Sequence, residues 1–104
     1  MLKRKTRSDR NHAIYAITNL VTGEYYIGVT VCSGNVNKAL KVRFQKHVRR
    51  AVTENKAWAL CASIRKHGAE NHYLQMIEQV RGKSAAHARE RELTREHAPA
   101  LNTL

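Results

Sequence analysis

Two β-like runs, residues 12–19 and 24–31, carry the triplets Ala13-Ile14-Tyr15 and Tyr26-Ile27-Gly28, with ten residues between the two tyrosines. The Thr22-Gly23 pair is turn chemistry, so the whole stretch reads as a hairpin. Side chains alternate across a strand, which makes the face of each tyrosine a question of parity. A two-residue turn at Thr22-Gly23 opposes Val21 to Glu24 and sets Tyr15 and Tyr26 on one face. A loop longer or shorter by one residue would part them. Two phenols converging on one sheet face in a basic chain mark a site rather than a core alone.

Downstream, Ser33, Gly34, Asn35 and Asn37 give loop chemistry over Val31 to Lys38. Leu40, Phe44, Val48 and Val52 then recur every four residues and predict an amphipathic helix over 38–52. Arg43 and His47, also four apart, fall on a neighbouring stripe of it. Ala57, Leu60, Cys61 and Ile64 predict a second helix over 55–67, and Gly68 after Lys66-His67 is a stop signal. Residues 72–80 form a third strand candidate. Ser84 can cap a last helix over 85–97, which Pro99 ends. The order ββααβα predicts an α+β fold: a small three-stranded antiparallel sheet flanked by helices.

A chain of 104 residues suits one domain. We expect a basic, disordered arm over 1–11 and a folded domain over 12–104. The formal charge of +11 asks for a polyanionic partner, nucleic acid before anionic membrane. A membrane partner lacks support, since no long apolar run and no aromatic-faced basic helix exist. No secretory pattern follows the basic N-terminus, so the expected setting is cytoplasmic. Cys32 and Cys61 form no disulfide framework and, with six histidines, no paired zinc spacing. They read as ordinary buried thiols. Lys3, Arg4, Lys5, Arg7 and Arg10 of the arm, with Arg49, Arg50 and Lys56, are the candidate phosphate contacts.

On the last helix Ala86, Glu90, Leu93 and His97 share one stripe. A carboxylate among inward residues needs a cation, either an arginine such as Arg43 or a metal, because burying it unpaired is costly. Mg²⁺ prefers carboxylate oxygen and keeps several waters, so one glutamate beside a substrate phosphate can suffice. Glu92 and Glu96 fall on the solvated side near Arg89, Arg91 and Arg95. A guanidinium such as Arg43 can steady charge on a phosphate. His47 can donate to a phosphate or leaving oxygen, or be a surface histidine. Tyr15 and Tyr26 can be half-buried strand tyrosines, whereas Tyr25 falls on the opposite face as a packing residue. Gly28 either permits a close backbone approach or marks a strand end.

The paired triplets resemble the signature of the GIY-YIG endonuclease family, with Ala13 in place of its first glycine. Ile64-Arg65-Lys66-His67-Gly68 with Glu70-Asn71-His72 resembles the family's passage from helix to third strand, notably in phage and homing-type members. Ala86-x-x-x-Glu90-Arg91-Glu92 and Pro99-Ala100-Leu101-Asn102 extend the likeness, which runs from His12 to Asn102. The resemblance implies catalytic roles for Tyr15, Tyr26, Arg43, His47 and Glu90. Glu90 would be the metal ligand, Mg²⁺ or Mn²⁺ the cofactor, and Gly28 and Asn102 supporting residues. Tyr15 would take the proton of the attacking water as a phenolate stabilised by the metal and Arg43, with Tyr26 holding water or phosphate. Many homing-type members carry a histidine where this chain has Asn55, so Lys56 or His47 would stand in as general acid.

The leading expectation is a Mg²⁺-dependent DNA endonuclease of low intrinsic sequence specificity, or one selective for DNA structure. Nothing beyond Asn102 would read bases, so a protein partner would confer any specificity. Its compact form would suit a phage or mobile-element nuclease. The alternative is a non-catalytic nucleic-acid-binding protein on the same scaffold. A third class, an RNA-assembly protein, lacks the aromatic platform that single strands stack on.

Overall fold

The structure, a computed structural model, describes residues 10–32, 34–54 and 58–102. Strand β1 (Asn11–Asn19) lies between β2 (Tyr25–Cys32) and β3 (His72–Arg81), with both pairings antiparallel. Helices α1 (Val36–Val52), α2 (Ala59–His67) and α3 (Lys83–His97) complete an α+β fold in the order ββααβα. Short 3₁₀ turns at Ala69–Asn71 and Ala100–Asn102 follow α2 and α3. No described helix is long and apolar enough to cross a membrane.

The hairpin differs from the expected one by two residues of register. Tyr15 opposes Gly28 and Ile17 opposes Tyr26, while Asn19 and Glu24 close a four-residue loop through Asn19 N–H to Glu24 C=O at 2.8 Å. Asn19 is the cause: its Oδ1 accepts from Val21 N (2.8 Å) and Thr22 N (3.2 Å), an Asx-type turn that a Thr22-Gly23 turn cannot accommodate. A change of two leaves parity intact, so the tyrosines still share a face.

The two sheet faces carry separate cores. Ala13, Tyr15 and Ile17 pack with Leu40, Ala51, Leu60, Cys61 and Ile64 of α1 and α2. Ile14 and Ile27 pack with Leu93 of α3, joined by Tyr25. Neither cysteine forms a disulfide among the described residues, and both are buried in the first core. A β-bulge between Ile14 and Tyr15 in the β1–β3 pairing lets Ile14 face Glu78 and Tyr15 face Met76. Bulges of this kind re-aim neighbouring side chains.

Helix α1 starts two residues before the expected 38, because the Asn35 side chain accepts from Lys38 N at 3.2 Å and caps it. Its core stripe is also rotated. Val52 is 68% exposed, while Leu40, His47 and Ala51 are buried. Gly68 stops α2 with φ 87°, as the sequence indicates. Ser84 caps nothing: α3 begins at Lys83, after Gly82 at φ 95°, whose N–H is bound by Arg10 C=O at 3.0 Å. That bond, and β1 beginning at Asn11, attach residues 10 and 11 to the sheet rather than to a free arm. The expected arm residues Lys3, Arg4, Lys5 and Arg7, and Asn55, Lys56 and Ala57 of the second helix, lie outside the described residues.

Asn19 Nδ2 also donates to Ser63 Oγ (2.8 Å), and Ser63 Oγ meets His72 Nε2 (2.8 Å), whose Nδ1 meets Gly68 C=O (2.7 Å). The carbonyl can only accept, so Nδ1 carries the hydrogen and Nε2 accepts from the Ser63 hydroxyl. Each bond in this buried chain therefore has a donor and an acceptor, and together they fasten the hairpin end to α2 and β3.

Candidate active site

Tyr15, on the central strand, is wholly buried, and a buried phenol needs partners. Helix α1 supplies two from adjacent turns. Arg43 Nε donates to the Tyr15 oxygen at 3.3 Å, and His47 Nε2 lies 2.9 Å from the same atom. A guanidinium can only donate, so the phenol oxygen accepts from Arg43 and its own hydrogen goes to His47 Nε2. Tyr26 completes the cluster, its ring 6.2 Å from Tyr15 and 5.2 Å from His47, edge-on to the imidazole.

Gly28 is the seat of this arrangement, well inside β2 rather than at its end. A Cβ there would stand 2.6 Å from the Tyr15 hydroxyl and 2.7 Å from both Tyr15 Cζ and Tyr26 Cε1. The missing side chain is the space the two phenols occupy. Gly28→Ala should therefore destabilise the fold by about 1–3 kcal/mol through overpacking. It should also break the Tyr15–His47 bond, seen as a lowered urea midpoint and a shifted His47 imidazole resonance. An unchanged midpoint would contradict the fit.

Asn102 holds the same strand from its open edge. Its Oδ1 accepts from Ile27 N at 2.7 Å and its Nδ2 donates to Ile27 C=O at 2.8 Å, as a neighbouring strand would. It thereby fixes the backbone between Tyr26 and Gly28.

Burial sets the electrostatics of the cluster. Desolvation, followed by the proximity of Tyr26, drives the Tyr15 phenol well above the ordinary tyrosine range, and Arg43 offsets only part of this. Burial thus favours the protonated phenol, and the phenolate that the resemblance implies would need the charge of a bound metal besides that of Arg43. Tyr26 is raised as well, by burial first, with the Glu90 charge adding and the Arg43 charge opposing. His47 is pushed down to about 4, by burial and then by the charges of Arg43 and Arg50. It is not a surface histidine. Buried and neutral, its Nε2 accepts.

This sets a pH dependence. His47 binds a proton near 6.5 when unfolded but only near 4 when folded, so the unfolded chain holds more protons between those values. Stability should fall as pH drops through that window, by ~3 kcal/mol in full, and flatten below it. Urea midpoints from pH 7 to pH 4 would show this slope, and His47→Gln should lessen it. An equal slope in the variant would assign it to other groups.

Glu90 is half-buried on α3, on the opposite sheet face, yet its carboxylate acts on Tyr26 because β2 is an edge strand. Among the described residues it has no ion-pair partner, so the Arg43 pairing left open by the sequence is not formed. His97, expected on the inward stripe, is exposed. Glu92 is on the solvated side and pairs with Arg89, which also holds Glu78 of β3 at 3.2 Å. Among the described residues no three of His, Cys, Asp and Glu gather into a metal cage. The Glu90 carboxylate oxygen is of the kind that a hard ion keeping waters and taking phosphate oxygen would use.

Two openings flank the cluster, and the sequence indicated neither. Beside Arg43 a groove of about 360 Å³ is lined by Lys38, Lys46, Thr30 and Asn35. Beside Tyr26 and His47 a cleft of about 270 Å³ is walled by Leu60 and Leu101, with Arg50 and Trp58 also lining it. Arg50, expected only as a phosphate contact, stacks over the Trp58 ring at 5.7 Å; Arg49 is exposed on the same helix. The one available sign was a lone tryptophan outside every amphipathic stripe. Comparison with protein-family models, curated proteins and solved structures gives no match.

Proposed function

We propose that this chain is a GIY-YIG-type, Mg²⁺-dependent DNA endonuclease, hydrolysing phosphodiester bonds with low intrinsic sequence specificity or by structure-selective cleavage. The observation that carries the reading is the relay Arg43–Tyr15–His47, closed over by Gly28 and set beside Tyr26 and Glu90. Here a cation and a neutral imidazole converge on one phenol oxygen, which is the arrangement for moving a proton.

Arg43 is half-buried and shared between the phenol and the cationic groove. A phosphate in that groove would draw the guanidinium into paired hydrogen bonds, stronger than its single 3.3 Å contact. That shift uncovers the Tyr15 oxygen. Tyr15 then takes the proton of the attacking water while passing its own to His47 Nε2, so no free phenolate forms. Arg43 steadies the charge that develops on the phosphate oxygens. Tyr26, less buried, orients the water. Glu90 would hold the divalent ion, which when bound neutralises phosphate charge and acidifies water.

Backbone affinity would come from Lys38, Lys46, Arg49 and the basic arm, and should weaken steeply with salt. DNA is the proposed partner, with a second protein supplying specificity where it is needed. The proposed setting is intracellular, consistent with two buried cysteines joined in no disulfide among the described residues.

The alternative, a non-catalytic nucleic-acid binder, shares the charge but gains nothing from a proton relay. Nicking of supercoiled plasmid separates the two. Relaxation that requires Mg²⁺ and stops with EDTA supports the nuclease. Salt-dependent binding without cleavage of plasmid, branched DNA or single strands supports the binder.

A further inference from the structure

We propose that the Trp58 cleft receives one unpaired nucleobase next to the phosphate site, so that the protein selects DNA with an unpaired nucleotide there. The proposal deepens the nuclease reading, but base binding does not require cleavage.

The two openings differ in chemistry. The groove beside Arg43 is lined by lysines and suits a phosphate backbone. The cleft beside Tyr26 and His47 sets the apolar Leu60 and Leu101 and the aromatic Tyr26 and Trp58 beside only one cation, Arg50, with Asn102 adding a polar edge. A flat apolar group with polar edges fits such walls, and a base is that group.

Trp58 is the chain's only tryptophan and is 39% exposed. It occupies the N-cap of α2, a position favouring Ser, Thr, Asp or Asn, and makes no side-chain capping bond. Helix geometry therefore does not explain the residue, whereas a stacking surface does. Arg50 over the indole makes a combined cationic and aromatic platform of the kind that binds single strands. Sequence reading finds no such platform, because one tryptophan shows no pattern until the fold sets it beside Tyr26 and His47.

Bases of an intact duplex are stacked inside it, so a base in this cleft must be unpaired or flipped. Since the cleft shares Tyr26 and His47 with the relay, the selected nucleotide adjoins the reacting phosphate. Flaps, mismatches and single strands present such a nucleotide without the cost of extrusion.

The sole tryptophan is its own reporter. With full-length protein in EDTA, a single-stranded oligonucleotide should quench Trp58 fluorescence saturably. An abasic strand of equal length and the matching blunt duplex should bind with little quenching. In anisotropy titrations Trp58→Ala should weaken single-strand binding roughly tenfold and leave duplex binding unchanged, while Trp58→Phe restores most of the loss. Equal quenching by the abasic strand, or undiminished single-strand affinity in Trp58→Ala, overturns the proposal. If base-dependent quenching holds but no DNA is cut with Mg²⁺, the cleft stands and the nuclease reading falls.

Discussion

Tyr15→Phe should lower plasmid nicking by roughly 10²–10⁴-fold, the range associated with losing a proton-transfer group. The substitution removes one oxygen and keeps the ring, so the space above Gly28 stays filled and the core around Ala13 and Ile17 is undisturbed. It also leaves His47 Nε2 without its partner in a buried setting, costing about 1–3 kcal/mol of stability. DNA binding in the absence of metal should be unchanged, since a wholly buried phenol touches no phosphate in the free protein. Because Tyr15 is held protonated far into the alkaline range, wild-type nicking should show no rise where an ordinary phenol ionises. A Phe variant that nicks at near-wild-type rates would end the relay reading. A stable, DNA-binding Phe variant without activity would separate chemistry from folding.

Glu90→Gln should cost roughly 10³-fold in nicking at fixed Mg²⁺, as loss of several kcal/mol of charge stabilisation implies. The amide keeps size and hydrogen bonding but removes the charge on which the proposed hard-cation site would rest. Folding should barely change, because Glu90 is half-exposed and no salt bridge among the described residues depends on it. Raising Mg²⁺ should recover part of the rate, a response a purely structural glutamate would not give. Metal-free DNA binding should hold or tighten slightly, since one negative charge is removed from a basic protein. Full activity in the Gln variant would place the metal elsewhere, whereas lost activity with lost folding would make Glu90 structural.

Much of the scaffold is legible in the sequence because local rules and tertiary demands agree. The alternation in residues 12–19 and 24–31, the four-residue spacing after Leu40 and the stop at Gly68 each state a geometry that packing then accepts. The common face of Tyr15 and Tyr26 survives even a misplaced turn, because a two-residue change of register conserves parity. The rotation of α1 was not legible. Its four-residue apolar stripe ends at Val52, yet the helix turns His47 inward, where Tyr15 offers the one partner that makes a buried imidazole tolerable.

What the sequence determined alone is the inventory and the order: a basic α+β chain with two tyrosines on one face, an arginine and histidine four apart, and a lone inward glutamate. Only the tertiary structure decided the ionisation of those groups. Burial raises Tyr15 and lowers His47, and desolvation depends on neighbours far apart in the chain. It also decided that Trp58 and Arg50 border the site, because a cleft belongs to several elements at once and no single stretch of sequence encodes it.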